Sequence, residues 1–215
     1  MPLKRVPYRS LRALLRRELV REEHPPTAAL IRRLAHVKRA GRFTRGEFLA
    51  MCRWKSPRAR LHYERNSAAT IRRASAAALG AQSERERIAV LTALPGVSVA
   101  TASAILTLID PLHYGVLDIR CWQLLFHIRS VEGNASGRGF TIPQWEQYLT
   151  RLRGHARALD VSARMIEYTL FHCHRKLQRG RLYDRAGARP AARRRAPAPP
   201  APARRAAAAR PGRGR

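Results

Sequence analysis

The longest uncharged stretch of the chain runs from Ile88 to Ile109 and limits the folds open to it. It holds 22 residues, 15 of them apolar, which is enough to span a bilayer as one helix. A Leu-Pro-Gly sequence at positions 94–96 interrupts it, however, and Ser and Thr are scattered through it. Because proline followed by glycine marks a turn, the stretch predicts a hairpin of two short buried helices over residues 84–109. It does not favour a membrane span.

Signals for helix ends recur along the rest of the chain, and no alternation typical of strands persists. Thr44 and Thr141 each stand three residues before a Glu or Gln, a pattern that caps helix starts, and Ser83 does the same before the hairpin. Thr27 is expected to cap a further helix that extends to about Ala40. The predicted fold class is all-α, a multi-helix bundle.

The charge divides the chain into two parts. Residues 186–215 contain only Ala, Arg, Pro and Gly, so we expect a disordered basic tail behind a folded domain over residues 1–185. Of the net charge of +29, the nine tail arginines supply +9, and +20 remains on the domain. A polyanionic partner is therefore expected, although charge alone leaves DNA, RNA and anionic membranes open. The tail either binds phosphates non-specifically or reflects compositional bias without a selected role.

Three widely separated cysteines, Cys52, Cys121 and Cys173, predict neither a disulfide framework nor a metal or iron–sulfur site. They fit a reducing, cytoplasmic compartment, and we expect no signal peptide at the N-terminus. His172 and His174 flank Cys173 but lack the second cluster that a zinc site needs. No metal and no cofactor is expected.

The start of the second hairpin helix offers a site for a phosphate. The backbone N–H groups of Gly96, Val97 and Ser98 lie where helical N–H groups lack partners and where the helix dipole is positive. Glycine fits here because a side chain would obstruct close approach or the required dihedral angles. Thr101, one turn into the helix, is a further candidate for contact with the DNA backbone.

The hairpin and the residues after it resemble the helix-hairpin-helix DNA glycosylase superfamily of base excision repair. The resemblance rests on LPGVSVATA at positions 94–102 and on Asp118, an aspartate among apolar residues 22 positions after Gly96. It implies a DNA N-glycosylase that binds double-stranded DNA as a monomer, extrudes a damaged or mismatched base, and uses Asp118 as the catalytic carboxylate. The cysteine count implies a branch without the iron–sulfur cluster.

The family's strand-cleaving members carry a lysine on the second hairpin helix. Residues 99–103 of this chain contain none, so the resemblance implies a monofunctional enzyme. The localisation implied is cytoplasmic and associated with the nucleoid.

Two alternatives stay open at this stage. Asp118 is the one of four aspartates that lies between apolar residues beside the hairpin, yet it can also be a simple N-cap for the helix that begins at Ile119. In that case the chain is a non-catalytic, chromatin-like DNA-binding protein. A third and weaker hypothesis is an RNA-binding protein.

Five more residues are candidates for the base pocket or for phosphate contacts. They combine aromatic or cationic side chains with positions near a predicted helix end or near Asp118, and they are Trp54, Lys55, Arg58, Arg120 and Trp122. An aromatic ring can stack on an extruded base, and a cation can hold a phosphate. Arg120 can alternatively pair with Asp118 and hold it ionised. For both tryptophans the alternative is packing in the core.

Overall fold

The computed structural model describes Leu3, residues 5–180 and Leu182, and its described residues are helical apart from connecting turns and one isolated bridge. In chain order the helices are α1 (Leu11–Glu18), α2 (Pro25–Leu34), α3 (Val37–Ala40), α4 (Arg45–Lys55), α5 (Arg60–Tyr63), α6 (Ala68–Gly80), α7 (Glu84–Thr92), α8 (Val99–Ile109), α9 (Ile119–His127), α10 (Ile142–Leu159) and α11 (Ala163–Leu177). A 3-10 turn, Pro57–Ala59, separates α4 from α5. The predicted boundary at residue 185 and the tail at 186–215 lie outside the described residues.

The predicted helix caps form where short-range sequence specifies them. Thr44 accepts a hydrogen bond from the backbone of Glu47, whose side chain bonds back to Thr44, and Thr141 does the same with Gln144. Ser83 accepts from the N–H of Glu86 at 3.1 Å. These caps satisfy N–H groups that have no partner within the helix, and the three helix starts are confirmed.

The helix expected from Thr27 to about Ala40 is different in the structure. Two consecutive prolines begin α2 at Pro25. Proline is tolerated in the first helical turn because the N–H that it lacks would have no partner within the helix there. Thr27 is therefore inside the helix, where its hydroxyl accepts a hydrogen bond from the indole N–H of Trp54 at 3.2 Å. The chain leaves α2 after Leu34 and resumes as the single turn α3, which Gly41 ends with a φ of +64°.

Helix α8 lies at the centre of the bundle. Every residue from Thr101 to Ile109 is buried, and α2, α4, α7 and α10 all pack against the helix. Each fully buried Leu or Ile contributes about 1.5–3 kcal/mol relative to exposure. The uncharged stretch from Ile88 to Ile109 therefore comprises the last five residues of α7, the turn and the central helix α8.

Candidate functional site

The turn between α7 and α8 uses part of its own backbone donors. The N–H of Val97 donates to the carbonyl oxygen of Leu94 at 3.0 Å, and the Val97 side chain is buried. Ser98 caps α8 by accepting from the N–H of Thr101 at 3.2 Å. Thr101 is itself buried, with its hydroxyl 3.1 Å from that of Ser98. Val97 and Thr101 thus have partners within the turn and the cap, while Gly96 and Ser98 are exposed, and contact of these four residues with the DNA backbone stays a prediction.

Gly96 is required by its dihedral angle and by its neighbours. Its φ is +85°, a region that side chains disfavour, and a Cβ atom there would lie 2.7 Å from Cβ of His62 and 3.0 Å from Cδ1 of Tyr63. The amide of Asn66 donates to the carbonyl oxygen of Pro95 at 3.0 Å. Helix α5 and the residues just after it therefore pack against the hairpin turn and support it.

Asp118 is positioned by a loop that the core fixes at several points. The hydroxyl of Ser103 on α8 accepts from the N–H of Leu117 at 2.8 Å, and the hydroxyl of Tyr148 on α10 donates to the carbonyl oxygen of Val116 at 2.8 Å. Gly115 packs so closely that a Cβ atom would lie 2.6 Å from a methyl group of Leu152. The hydrogen bond from Leu117 to α8 thus fixes the position of Asp118, the next residue, at the start of α9.

The two oxygens of Asp118 have different partners. Oδ1 accepts from the backbone N–H of Arg120 at 2.9 Å and caps α9, whereas Oδ2 accepts from Nζ of Lys55 at 2.8 Å. Both side chains of this ion pair are about 85% buried, with 16% of Lys55 and 15% of Asp118 exposed. Burial raises the pKa of Asp118, but the Lys55 ammonium and the hydrogen bond from Arg120 outweigh it, so the pKa lies below its ordinary value. The carboxylate is ionised at neutral pH.

The ion pair lies in the wall of a cavity of about 420 Å³. The walls combine aromatic and charged groups, contributed by α4, α11 and the Asp118 loop: Trp54, Lys55, Asp118, Glu167, Tyr168 and Phe171. This volume lies in the range of small-molecule pockets, which are largely apolar with a few polar groups. Trp54 and Lys55, both predicted as pocket residues, line the cavity together with Asp118.

A buried charge network forms part of the cavity wall, through Arg164 and Glu167. Arg164 forms ion pairs with Glu23 at 2.6 Å and with Glu167, and its guanidinium lies 4.7 Å from the ring centre of Tyr168. Burial raises the pKa of Glu167, while Arg164 acts in the opposite direction. Sequence reasoning missed this network. Its signal was an acid and a base three residues apart among apolar residues of one helix.

The remaining predicted residues lie elsewhere. The guanidinium of Arg120 lies 5.3 Å from the ring centre of Phe171, so only its backbone N–H bonds to Asp118. Trp122 is fully buried and donates to the carbonyl oxygen of Asn134 at 2.9 Å. It belongs to the core and does not line the cavity. Arg58 is exposed in the 3-10 turn that follows Lys55.

The two histidines of α11 face different surroundings. His172 lines the cavity, edge-on to Tyr168 with ring centres 4.3 Å apart. His174 is fully buried, and its Nε2 donates to the side-chain oxygen of Gln123 at 3.2 Å. They are therefore not arranged as a shared pair of metal ligands.

The described residues include no metal-binding cluster and no membrane-spanning helix. Among them, no group of three or more His, Cys, Asp or Glu side chains is placed to hold a metal ion. Likewise, none of the described helices is long and apolar enough to cross a membrane. No family model, curated protein or solved structure matches this chain.

Proposed function

We propose that this protein is a monofunctional DNA N-glycosylase, which extrudes a damaged or mismatched base and hydrolyses its N-glycosidic bond with Asp118. One observation carries the proposal. The Asp118 carboxylate caps its helix with one oxygen and presents the other, paired with Lys55, in the wall of an aromatic cavity. A capping role alone needs neither the cavity nor the ammonium partner.

The chemistry follows from the charge on Asp118. As the glycosidic bond breaks, the sugar acquires the positive charge of an oxocarbenium ion. A fixed carboxylate of low pKa stabilises that charge and orients the attacking water. The free base and an abasic site are the products. Trp54, Tyr168 and Phe171 supply aromatic surface for the extruded base.

The proposed partner is double-stranded DNA, bound by a monomer that associates with the nucleoid in the cytoplasm. The exposed turn residues Gly96 and Ser98 at the start of α8 support this, as a helix-hairpin-helix contact to a backbone phosphate. The net charge of +29 supports it through long-range attraction and counterion release.

Lys55 serves in this proposal as the charge partner of Asp118. Of the described residues that line the cavity it is the one lysine, and its ammonium donates to the carboxylate. An amine engaged in that ion pair is not free to attack the sugar. The enzyme is therefore proposed to release bases without cleaving the strand.

A base-release screen tests the proposal. Duplexes that each carry one alkylated, oxidised, deaminated or mismatched base are incubated with the protein, and free base is measured by mass spectrometry. We expect release from at least one duplex. Duplex binding without release from any of them would favour the non-catalytic DNA-binding protein instead.

A further inference from the structure

A row of arginines begins just before α1 and continues along that helix. Arg9, Arg12 and Arg16 follow one another at spacings of three and four residues, and all three are exposed, while the leucines of α1 are buried. Among the described residues none of these three guanidinium groups forms an ion pair with a carboxylate, whereas the neighbouring Arg17 approaches Glu18 at 4.0 Å. The row therefore has positive charge available for a partner.

Helix α10 adds to this positive charge. Arg151 is exposed, and its Nε donates to the carbonyl oxygen of Ser130 at 2.9 Å. The pKa of His155, one turn further along α10, lies below its ordinary value because the ring is partly buried and because the positive charges of Arg12 and Arg151 act on it. Charge from α1 and α10 thus converges at His155. Together they form a cationic patch, the α1–α10 surface, which consists of Arg9, Arg12, Arg16, Arg151 and His155.

The α1–α10 surface lies on a different side of α11 from the cavity. Lys176 of α11 donates to Glu18 of α1 at 2.9 Å, and the N–H of Val20, just after α1, donates to the hydroxyl of Thr169 at 3.0 Å. The residues of α11 that line the cavity are Arg164, Glu167, Tyr168, Phe171, His172 and Arg175. With about 3.6 residues per turn, Thr169 and Lys176 lie about a third of a turn from the middle of that set. Helix α1 is therefore held on a face of α11 that does not line the cavity.

The α10 side of the surface is also distant from the proposed DNA site. Asp118 begins α9 at the cavity, whereas Arg151 bonds to Ser130, which follows the other end of that helix. Arg153 of α10 pairs at 2.8 Å with Glu84 at the start of α7, whereas the hairpin turn follows the end of α7. Helices α7 and α9 have nine residues each, and each is therefore about 13 Å long. A duplex at the hairpin turn and the cavity thus leaves the α1–α10 surface available.

Double-stranded DNA is the partner whose charge fits this surface. It carries one negative charge per about 1.7 Å of helix axis, and arginine side chains bind its phosphates in a fixed fork geometry. An anionic membrane fits less well, since binding at a lipid surface relies on large apolar side chains as well as on charge. Among the described residues the exposed large apolar side chains are Leu61 and Leu112, and neither lies on α1 or α10.

We propose that the α1–α10 surface binds a second DNA duplex, so that one monomer holds two DNA segments at once. The inference rests on the proposed function for the first duplex, which is bound at the hairpin turn and the cavity. The second contact is made to phosphates, so it is independent of base sequence and of base damage. With two contacts, the protein passes between neighbouring DNA segments without complete release.

Capture of a second duplex tests the proposal directly. Streptavidin beads that carry a short undamaged duplex are loaded with the whole chain, washed, and titrated with a fluorescent duplex of the same sequence. We expect the beads to retain the fluorescent duplex, and the double variant Arg12→Gln/Arg16→Gln to bind it about tenfold more weakly at equal protein loading. The slope of log Kd for this second duplex against log salt concentration should become smaller by about two, one for each lost phosphate contact. The Kd for the first duplex, measured by fluorescence anisotropy, should change by no more than about twofold.

Arg39→Gln/Arg42→Gln is the matched control, because it removes two exposed arginines from another part of the fold, on either side of Gly41. It should retain the second duplex as the wild type does. Arg12→Lys/Arg16→Lys, which keeps the charge, should retain most of it.

Three outcomes would overturn the proposal. Equal retention by the wild type and by Arg12→Gln/Arg16→Gln, or an equal loss in the control, would show that the second duplex is not held by the α1–α10 surface. A wild-type protein that binds the first duplex and captures no second one would remove the second site and leave base release to be judged by its own assay. Failure to bind the first duplex would overturn the DNA proposal as well.

Discussion

Nζ of Lys55 lies 2.8 Å from Oδ2 of Asp118, so the last residue of α4 is joined to the residue that begins α9. The two positions are 63 residues apart in the chain. This contact holds a buried carboxylate ionised in the wall of the cavity. The packing of α4 beside α9 therefore determines the charge state of the proposed catalytic carboxylate.

Removal of the Lys55 ammonium should raise the pKa of Asp118. In Lys55→Met, burial acts on the carboxyl without its main opposing charge. In a plot of base-release rate against pH, the decline on the acid side should therefore move to higher pH. The free energy of unfolding should fall by about 3 kcal/mol, because a buried charge loses its partner. Lys55→Arg keeps the charge and should keep the wild-type profile. Identical pH profiles for the Met variant and the wild type would contradict this role.

The pH dependence of unfolding provides a second test of the lowered pKa of Asp118. A carboxyl with a depressed pKa in the folded state contributes stability above its unfolded pKa of about 3.9, and that stability is lost as the pH falls through the folded value. Urea unfolding of the wild type between pH 2 and pH 5 should show this loss. In Lys55→Met the contribution from Asp118 should be absent or reversed.

Trapping with borohydride tests the monofunctional assignment. On a duplex with a preformed abasic site, we expect no stable covalent adduct, since the Lys55 ammonium is bound to Asp118. Lys55→Ala serves as the paired variant. An adduct formed by the wild type and lost in Lys55→Ala would make Lys55 a nucleophile and the enzyme a lyase as well.

Gly96→Ala should destabilise the hairpin turn through both strain and overlap. The φ of +85° and the 2.7 Å approach to Cβ of His62 together predict a loss of about 2–4 kcal/mol in the free energy of unfolding. Gly41→Ala is the control, because its φ is +64° but no atom lies within 4 Å of the added Cβ. It should cost only about 1–2 kcal/mol. Equal losses of unfolding free energy in the two variants would show that the contacts with His62 and Tyr63 do not add to the cost at Gly96.

His174 should make stability depend on pH. Burial, and secondarily the charge of Arg120, lowers its pKa from 6.5 to about 4. Between these values the unfolded chain binds more protons than the folded one. Stability is therefore complete above about pH 6.5 and declines by up to about 3 kcal/mol as the pH approaches 4. Urea unfolding at pH 4.5 and pH 7 measures this, and His174→Gln should reduce the difference. An unchanged difference in that variant would assign the effect to other groups.

Features that depend on neighbouring residues could be predicted from the sequence better than contacts between residues far apart in the chain. The caps at Thr44 and Thr141 and the break at Pro95 depend on residues within a few positions, and each forms as expected; the N-cap at Asp118, held open as an alternative, also forms. The partner of Asp118 could not be predicted, because it depends on how α4 packs beside α9. Trp54 and Trp122 show the same limit. They were equal candidates by residue type, and only packing separates the cavity wall from the core.

The most direct test of the central claim is the single-turnover rate of base release by Asp118→Asn on the best duplex from the screen. Asparagine caps a helix as well as aspartate does, but it leaves the Lys55 ammonium without its counter-charge, so urea unfolding and duplex binding are measured first to establish that the variant is folded and binds DNA. The rate should fall by about 10²–10⁴-fold. Asp160→Asn is the control, since Asp160 ends α10 with a φ of +50°, a conformation that asparagine tolerates, and its rate should equal the wild-type rate. A folded, DNA-bound Asp118→Asn protein that releases base at the wild-type rate would contradict the assignment of Asp118 as the catalytic carboxylate.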